Sequence, residues 1–106
     1  MNRCTYAPVY CALYPGLAEI ARHHGYALAI HGSLSRDFDL ICVPWADREP
    51  DTPPLVIDDM CSQFAIRQVG EPEQKPHNRL AYTLTVGFGE CAIDLSFVGL
   101  SREPTP

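Results

Sequence analysis

Apolar and polar residues alternate with a period of two in the second half of the chain. Leu80, Tyr82, Leu84 and Val86 are interleaved with Ala81, Thr83 and Thr85, and Cys91, Ile93, Leu95 and Phe97 with Ala92, Asp94 and Ser96. This is the pattern of half-buried strands. Two shorter apolar runs lie earlier and predict strands at Tyr26–His31 and Asp37–Pro44. Leu17, Ile20, Ala21 and His24 recur at helical spacing between Pro15 and Gly25, which predicts a short helix starting at Pro15 and stopped by the glycine. A second helix is predicted from Pro53, with the Thr52 hydroxyl as cap and Asp58 and Asp59 in its opening turns. Its apolar stripe is Ile57, Met60, Cys61, Phe64 and Ala65, and Gly70 marks its expected end. Polar, proline-bearing segments at 45–54 and 71–78 are expected to be loops, and Gly87-Phe88-Gly89-Glu90 a turn. The element order is α-β-β-α-β-β. It predicts an α+β domain, with a mixed, mostly antiparallel four-stranded sheet carrying two helices on one face.

With 106 residues, the chain has the length of one domain, expected over 1–100 with a loose tail at 101–106. No apolar run approaches the roughly 18 residues that span a bilayer, and the first residues lack the apolar stretch of a secretory signal. A cytoplasmic protein is expected. Five cysteines, an odd number with no C-x-x-C pair, argue against a disulfide framework or a zinc site. The net charge of −5 speaks against an extended nucleic-acid surface. A local patch of Arg36, Arg67, Lys75 and Arg79 is the basic grouping that folding can still assemble.

The segment most suited to chemistry is His31-Gly32-Ser33-Leu34-Ser35-Arg36-Asp37-Phe38-Asp39-Leu40. In a strand, residues two apart share a face, so Asp37 and Asp39 stand together while Phe38 and Leu40 turn into the core. Like charges held together call for a cation. Asp94 supplies a third carboxylate on the polar face of the last strand. A divalent ion such as Mg²⁺ or Mn²⁺, bound by Asp37, Asp39 and Asp94, suits this set, because magnesium takes carboxylate oxygens together with water and substrate phosphates. Gly32 permits close backbone approach, and the Ser33 hydroxyl can meet a phosphate. The plainer readings are that Asp37 and Asp39 serve the turn, that Asp94 is a solvated strand residue, and that His31, Trp45 and Tyr82 are packing residues.

Gly32-Ser33, Asp37-Phe38-Asp39-Leu40 and Ala92-Ile93-Asp94-Leu95 together resemble the nucleotidyltransferase superfamily of the DNA polymerase β type, its smallest members most of all. The resemblance spans residues 15–98 and rests on six or seven positions. It implies a nucleotidyltransferase-like fold and transfer of a nucleoside monophosphate from a nucleoside triphosphate to a hydroxyl. Gly32, Ser33 and Arg36 would contact the phosphates. Asp37, Asp39 and Asp94 would bind metal, with Asp94 also orienting the acceptor hydroxyl as the catalytic residue. The reduced domain also resembles small bacteriophage proteins of this superfamily.

One feature departs from the family pattern. Only Leu34, Ser35 and Arg36 separate Ser33 from Asp37. Three residues do not complete a helical turn of about 3.6, so the family's phosphate-facing helix end is absent or rebuilt. The alternative is a catalytically inactive scaffold or adaptor of the same fold, a phage or mobile-element protein that binds a protein partner.

Overall fold

The computed structural model describes residues 7–32, 37–86 and 91–99. Over these residues the protein is α+β, with two helices and a mixed six-stranded sheet. In chain order the elements are α1 (Ala7–His23), β1 (Tyr26–His31), β2 (Asp37–Pro44), α2 (Pro53–Gln63), β3 (Ile66–Gln68), β4 (Glu73–Lys75), β5 (Arg79–Val86) and β6 (Cys91–Phe97). The sheet runs β1-β2-β6-β5-β3, and β4 pairs with the other end of β5. The β1–β2 and β5–β6 pairs are antiparallel, whereas β2 and β6 are parallel.

The strand alternation sorts the two faces of the sheet. Phe38, Leu40 and Cys42 of β2, Tyr82 and Leu84 of β5, and Ile93, Leu95 and Phe97 of β6 are buried. They share one core with Tyr10, Leu17, Ile20 and Ala21 of α1 and Val56, Ile57 and Met60 of α2. Both helices therefore lie on the same face. The opposite face carries Asp37, Asp39, Ile41, Thr83, Thr85, Asp94 and Ser96, and no described helix covers it.

Four expectations need correction. The sheet has six strands where four were expected, because two three-residue strands form within segments read as helix end and loop. Helix α2 stops at Gln63, where Phe64 is extended (φ −131°, ψ 165°), and Ile66–Gln68 then pairs with β5. Burying Ile66 in the sheet takes precedence over two more helical turns. Helix α1 begins at Ala7 and carries Pro15 inside it. Interior proline removes a backbone hydrogen bond and costs about 3 kcal/mol, and the packing of the preceding turns offsets that. Tyr10 stacks on Phe38 with ring centroids 4.7 Å apart, and the Tyr14 hydroxyl donates to the Leu28 carbonyl at 2.6 Å. Finally, Thr52 makes no side-chain cap bond; Leu55 N–H donates instead to the Thr52 carbonyl at 3.0 Å. The expected turn at 87–90 and tail at 101–106 lie outside the described residues. Among the described residues no helix is long and apolar enough to cross a membrane.

Candidate functional site on the open face of the sheet

The parallel register of β2 and β6 puts Asp39 directly beside Asp94. The flanking pairs extend the row in both directions: His31 of β1 is opposite Asp39, and Thr83 of β5 is opposite Asp94. Adjacent strands are about 4.8 Å apart, so His31, Asp39, Asp94 and Thr83 form one polar line across four strands. Asp37 lies two residues along β2 on the same face, opposite Ala92, and is exposed. Beneath this line α1 supports the strands through the Tyr10–Phe38 stack and a hydrogen bond from the Tyr10 hydroxyl to the Ala92 carbonyl at 3.4 Å.

Gly32 is shaped by the same site. Its φ is +90°, a region that L side chains rarely adopt, and a Cβ there would lie 2.6 Å from Asp39 Oδ2. The backbone therefore passes close against the carboxylate only because the residue is glycine.

Asp94 is electrostatically strained. Desolvation raises its pKa above the ordinary value of 3.8; the charges of Asp39 and Asp37 and a hydrogen bond with Asp39 add to the rise, and Lys75 opposes it. Among the described residues neither Asp39 nor Asp94 has an ion-pair partner. The two carboxyls thus face each other, and the charge of Asp39 disfavours that of Asp94.

An open cleft of about 520 Å³ lies over the pair, within the size range of small-molecule sites. Its acidic side is Asp39 and Asp94. Across it stand Glu73 of β4 and the two cations Lys75 and Arg79. Lys75 and Arg79 are opposite each other in the β4–β5 pairing, and Arg67 of β3 is opposite Thr85, so all three project to the site face. Of the basic patch read from the sequence, Arg67, Lys75 and Arg79 are brought to one side of the sheet; Arg36 lies outside the described residues.

The predicted site residues are thus distributed unevenly. Gly32, Asp39 and Asp94 meet, and Asp37 lies two residues along β2, outside the lining of the cleft. Ser33 and Arg36 lie outside the described residues. Among the described residues no group of three or more His, Cys, Asp or Glu side chains is arranged to hold a metal ion. The donor set that does form is two facing carboxylates with no ion-pair partner among the described residues. Family models, curated proteins and solved structures were all searched. Nothing matches the chain. Any reading of this site therefore stands on its residues.

The site contains positions that the sequence reading passed over. His31, for which a phosphate contact and a packed or half-exposed place were both open, neighbours Asp39. Thr83 and Ser96 were read only as the polar side of a strand, and both line the cleft. A signal for the hairpin that carries Lys75 and Arg79 was present in Asn78, a residue tolerant of left-handed backbone; His77 and Asn78 have φ of 65° and 62°.

Proposed function

We propose that this protein is a small nucleotidyltransferase of the DNA polymerase β type, binding a nucleoside triphosphate with Mg²⁺ or Mn²⁺ on the open face of its sheet. The observation that carries the reading is the register of β2 and β6, which sets Asp39 against Asp94 beside the glycine bend at Gly32. Asp39 and Asp94 would hold the ion, with Asp37, two residues along β2, available to a second. When bound, the ion supplies charge compensation for the triphosphate and for the carboxylate pair. Transfer forms a bond from the acceptor hydroxyl oxygen to the α-phosphorus and breaks the bond to the β-phosphate, releasing pyrophosphate. The hydroxyl proton would go to the Asp94 carboxylate, which lines the cleft.

Calorimetric titration with Mg²⁺ and ATP or CTP tests this. Heat is expected with at least one triphosphate in the wild type and none in Asp39→Ala. A silent titration with every triphosphate overturns the proposal.

A second reading, an inactive scaffold of this fold, is favoured by one observation. Trp45, just after β2, is 71% exposed, while Ile30 and Val43, 40% and 39% exposed, lie on opposite faces of the sheet. An exposed tryptophan is the kind of side chain enriched at protein contacts. The scaffold reading expects a co-purifying partner that is retained when Asp37, Asp39 and Asp94 are all changed to alanine; the enzyme reading expects no such partner.

A further inference from the structure

The flank of the cleft opposite the carboxylates holds an atom that nothing in the fold explains. Arg79 Nε is buried and has no hydrogen-bond partner. An unmatched buried donor costs about 1–3 kcal/mol, more when charged, and such an atom calls for an explanation, a bound ion or water among them. Beside it stands Lys75, opposite Arg79 in the strand register and lining the same cleft. Lys75 pairs with Glu73 at 3.0 Å, but the two side chains are 39% and 71% exposed. Such an ion pair is weak and readily exchanged. Lys75 also acts on the far side of the cleft, where its charge opposes the rise in the Asp94 pKa.

We propose that Lys75 and Arg79 form a phosphoryl-anion subsite, and that the ligand of this cleft is a phosphate ester bridging its two flanks. The anion sits on the β4–β5 hairpin, with Arg79 presenting its planar fork of donors and Lys75 a point charge. The end that requires a cation faces Asp39 and Asp94. This rests on the proposed function and narrows it, because it places the polyphosphate on the hairpin and not only at the glycine bend. Asp39, Glu71, Glu73 and Asp94 outnumber the two cations lining the cleft. Entry of an anion is therefore opposed until a divalent ion compensates the carboxylates, and each ligand is expected to tighten the other.

Amide NMR of the full chain tests the subsite, with Mg²⁺ added first and inorganic pyrophosphate second. Mg²⁺ is expected to shift the amides around Asp39 and Asp94. Pyrophosphate is then expected to shift those of residues 73–81. In the double variant Lys75→Gln, Arg79→Gln the pyrophosphate shifts should vanish while the Mg²⁺ shifts persist. In Arg79→Lys, which keeps the charge and loses the fork, pyrophosphate affinity should fall about tenfold. Wild-type affinity in the folded double variant overturns the subsite, as do pyrophosphate shifts confined to other parts of the chain. If the double variant does not fold, undiminished affinity in Arg79→Lys overturns it. Shifts at 73–81 without any Mg²⁺ response at Asp39 and Asp94 support the anion subsite and remove the metal from the proposed function.

Discussion

Two pairs of aspartates in this protein have opposite surroundings. Asp51, in the loop before α2, and Asp59, in α2, enclose the His24 ring, whose Nδ1 donates to Asp51 Oδ2 at 2.7 Å and whose Nε2 donates to Asp59 Oδ2 at 2.9 Å. Both bonds are made together only when the ring carries two protons and a positive charge. Asp39 and Asp94 face each other with no cation from the described residues between them. The consequences are opposite in sign. Desolvation pulls the His24 pKa down, the bonds to Asp59 and Asp51 outweigh it, and the net direction is up. The hydrogen bond from His24, foremost, holds both Asp51 and Asp59 below the ordinary carboxylate range. Asp94 is pushed above it. The first cluster is internally complete and ties the end of α1, the loop before α2 and α2 together, and the bond from the Tyr26 hydroxyl to the Asp51 carbonyl at 2.5 Å ties β1 to the same loop. The second is incomplete, and a carboxylate pair left in that state on a cleft is a place where function is sought.

The largest expected effect comes from disturbing the incomplete pair through its backbone. Gly32→Ala places a methyl group 2.6 Å from Asp39 Oδ2 at a φ of +90°. Backbone strain of this kind costs about 1–3 kcal/mol, and Asp39 must also move off the line it shares with Asp94. Chemical denaturation should show the loss, and the Mg²⁺ response at Asp39 should disappear with it. A variant as stable as the wild type would show that this bend is not held against the carboxylate.

Next comes the complete cluster. His24→Ala leaves Asp51 and Asp59 facing each other, as Asp39 and Asp94 already do. The imidazole is 17% exposed, and a loss of about 1–2 kcal/mol is expected, at the low end for hydrogen bonds to charged groups because the carboxylates are partly in water. The change removes the contrast between the two pairs, so a neutral result would show that the enclosing carboxylates do not depend on their cation.

Titration sharpens the difference. A histidine whose folded pKa lies above its ordinary 6.5 contributes stability that is fully present below 6.5 and lost as pH rises through the raised value. Stability should therefore fall when the pH is raised from 6 towards 8, and His24→Ala should flatten that slope. Asp51 and Asp59, both lowered, contribute above the ordinary 3.8 and lose that contribution on acidification. The window in which the cluster holds thus lies between the two. An unchanged slope in His24→Ala would assign the pH dependence elsewhere.

The two clusters also differ in how far the sequence revealed them. Strands β1 and β2 were legible to the residue as apolar runs, the first opening after Gly25 and ending at the Gly32 bend, the second closing at Pro44. The Asp39–Asp94 pair was legible from strand alternation, once the two strands were assumed to be neighbours. Their parallel pairing was not, since no local pattern encodes which strands meet. The pairing of His24 with Asp51 and Asp59 was missed entirely: a histidine at a helix end and two aspartates near a helix start each have an adequate local explanation. Only the packing of α2 beside α1 makes them one unit. Strand β4 escaped for a different reason, because Glu-Gln-Lys has no apolar side, and it is a strand only by pairing with β5.

The smallest effect is the most discriminating, because it should change sign between the pairs. Asp94→Asn keeps the shape of the side chain, removes one of two facing charges, and gives Asp39 an amide donor in place of a repelling oxygen. Cross-strand like charges destabilise by about 0.2–1 kcal/mol, so a gain of that order is expected at pH 7 without divalent ions. It should shrink on acidification, since the raised pKa of Asp94 means the wild-type pair relieves itself by taking up a proton. Asp51→Asn removes a charge that His24 uses and should destabilise under the same conditions. If added Mg²⁺ stabilises the wild type and leaves Asp94→Asn unchanged, the repulsion between Asp39 and Asp94 is the energy a bound cation would relieve. If both aspartate-to-asparagine changes destabilise alike, the sheet pair is as complete as the one around His24, and the distinction between the two clusters is lost.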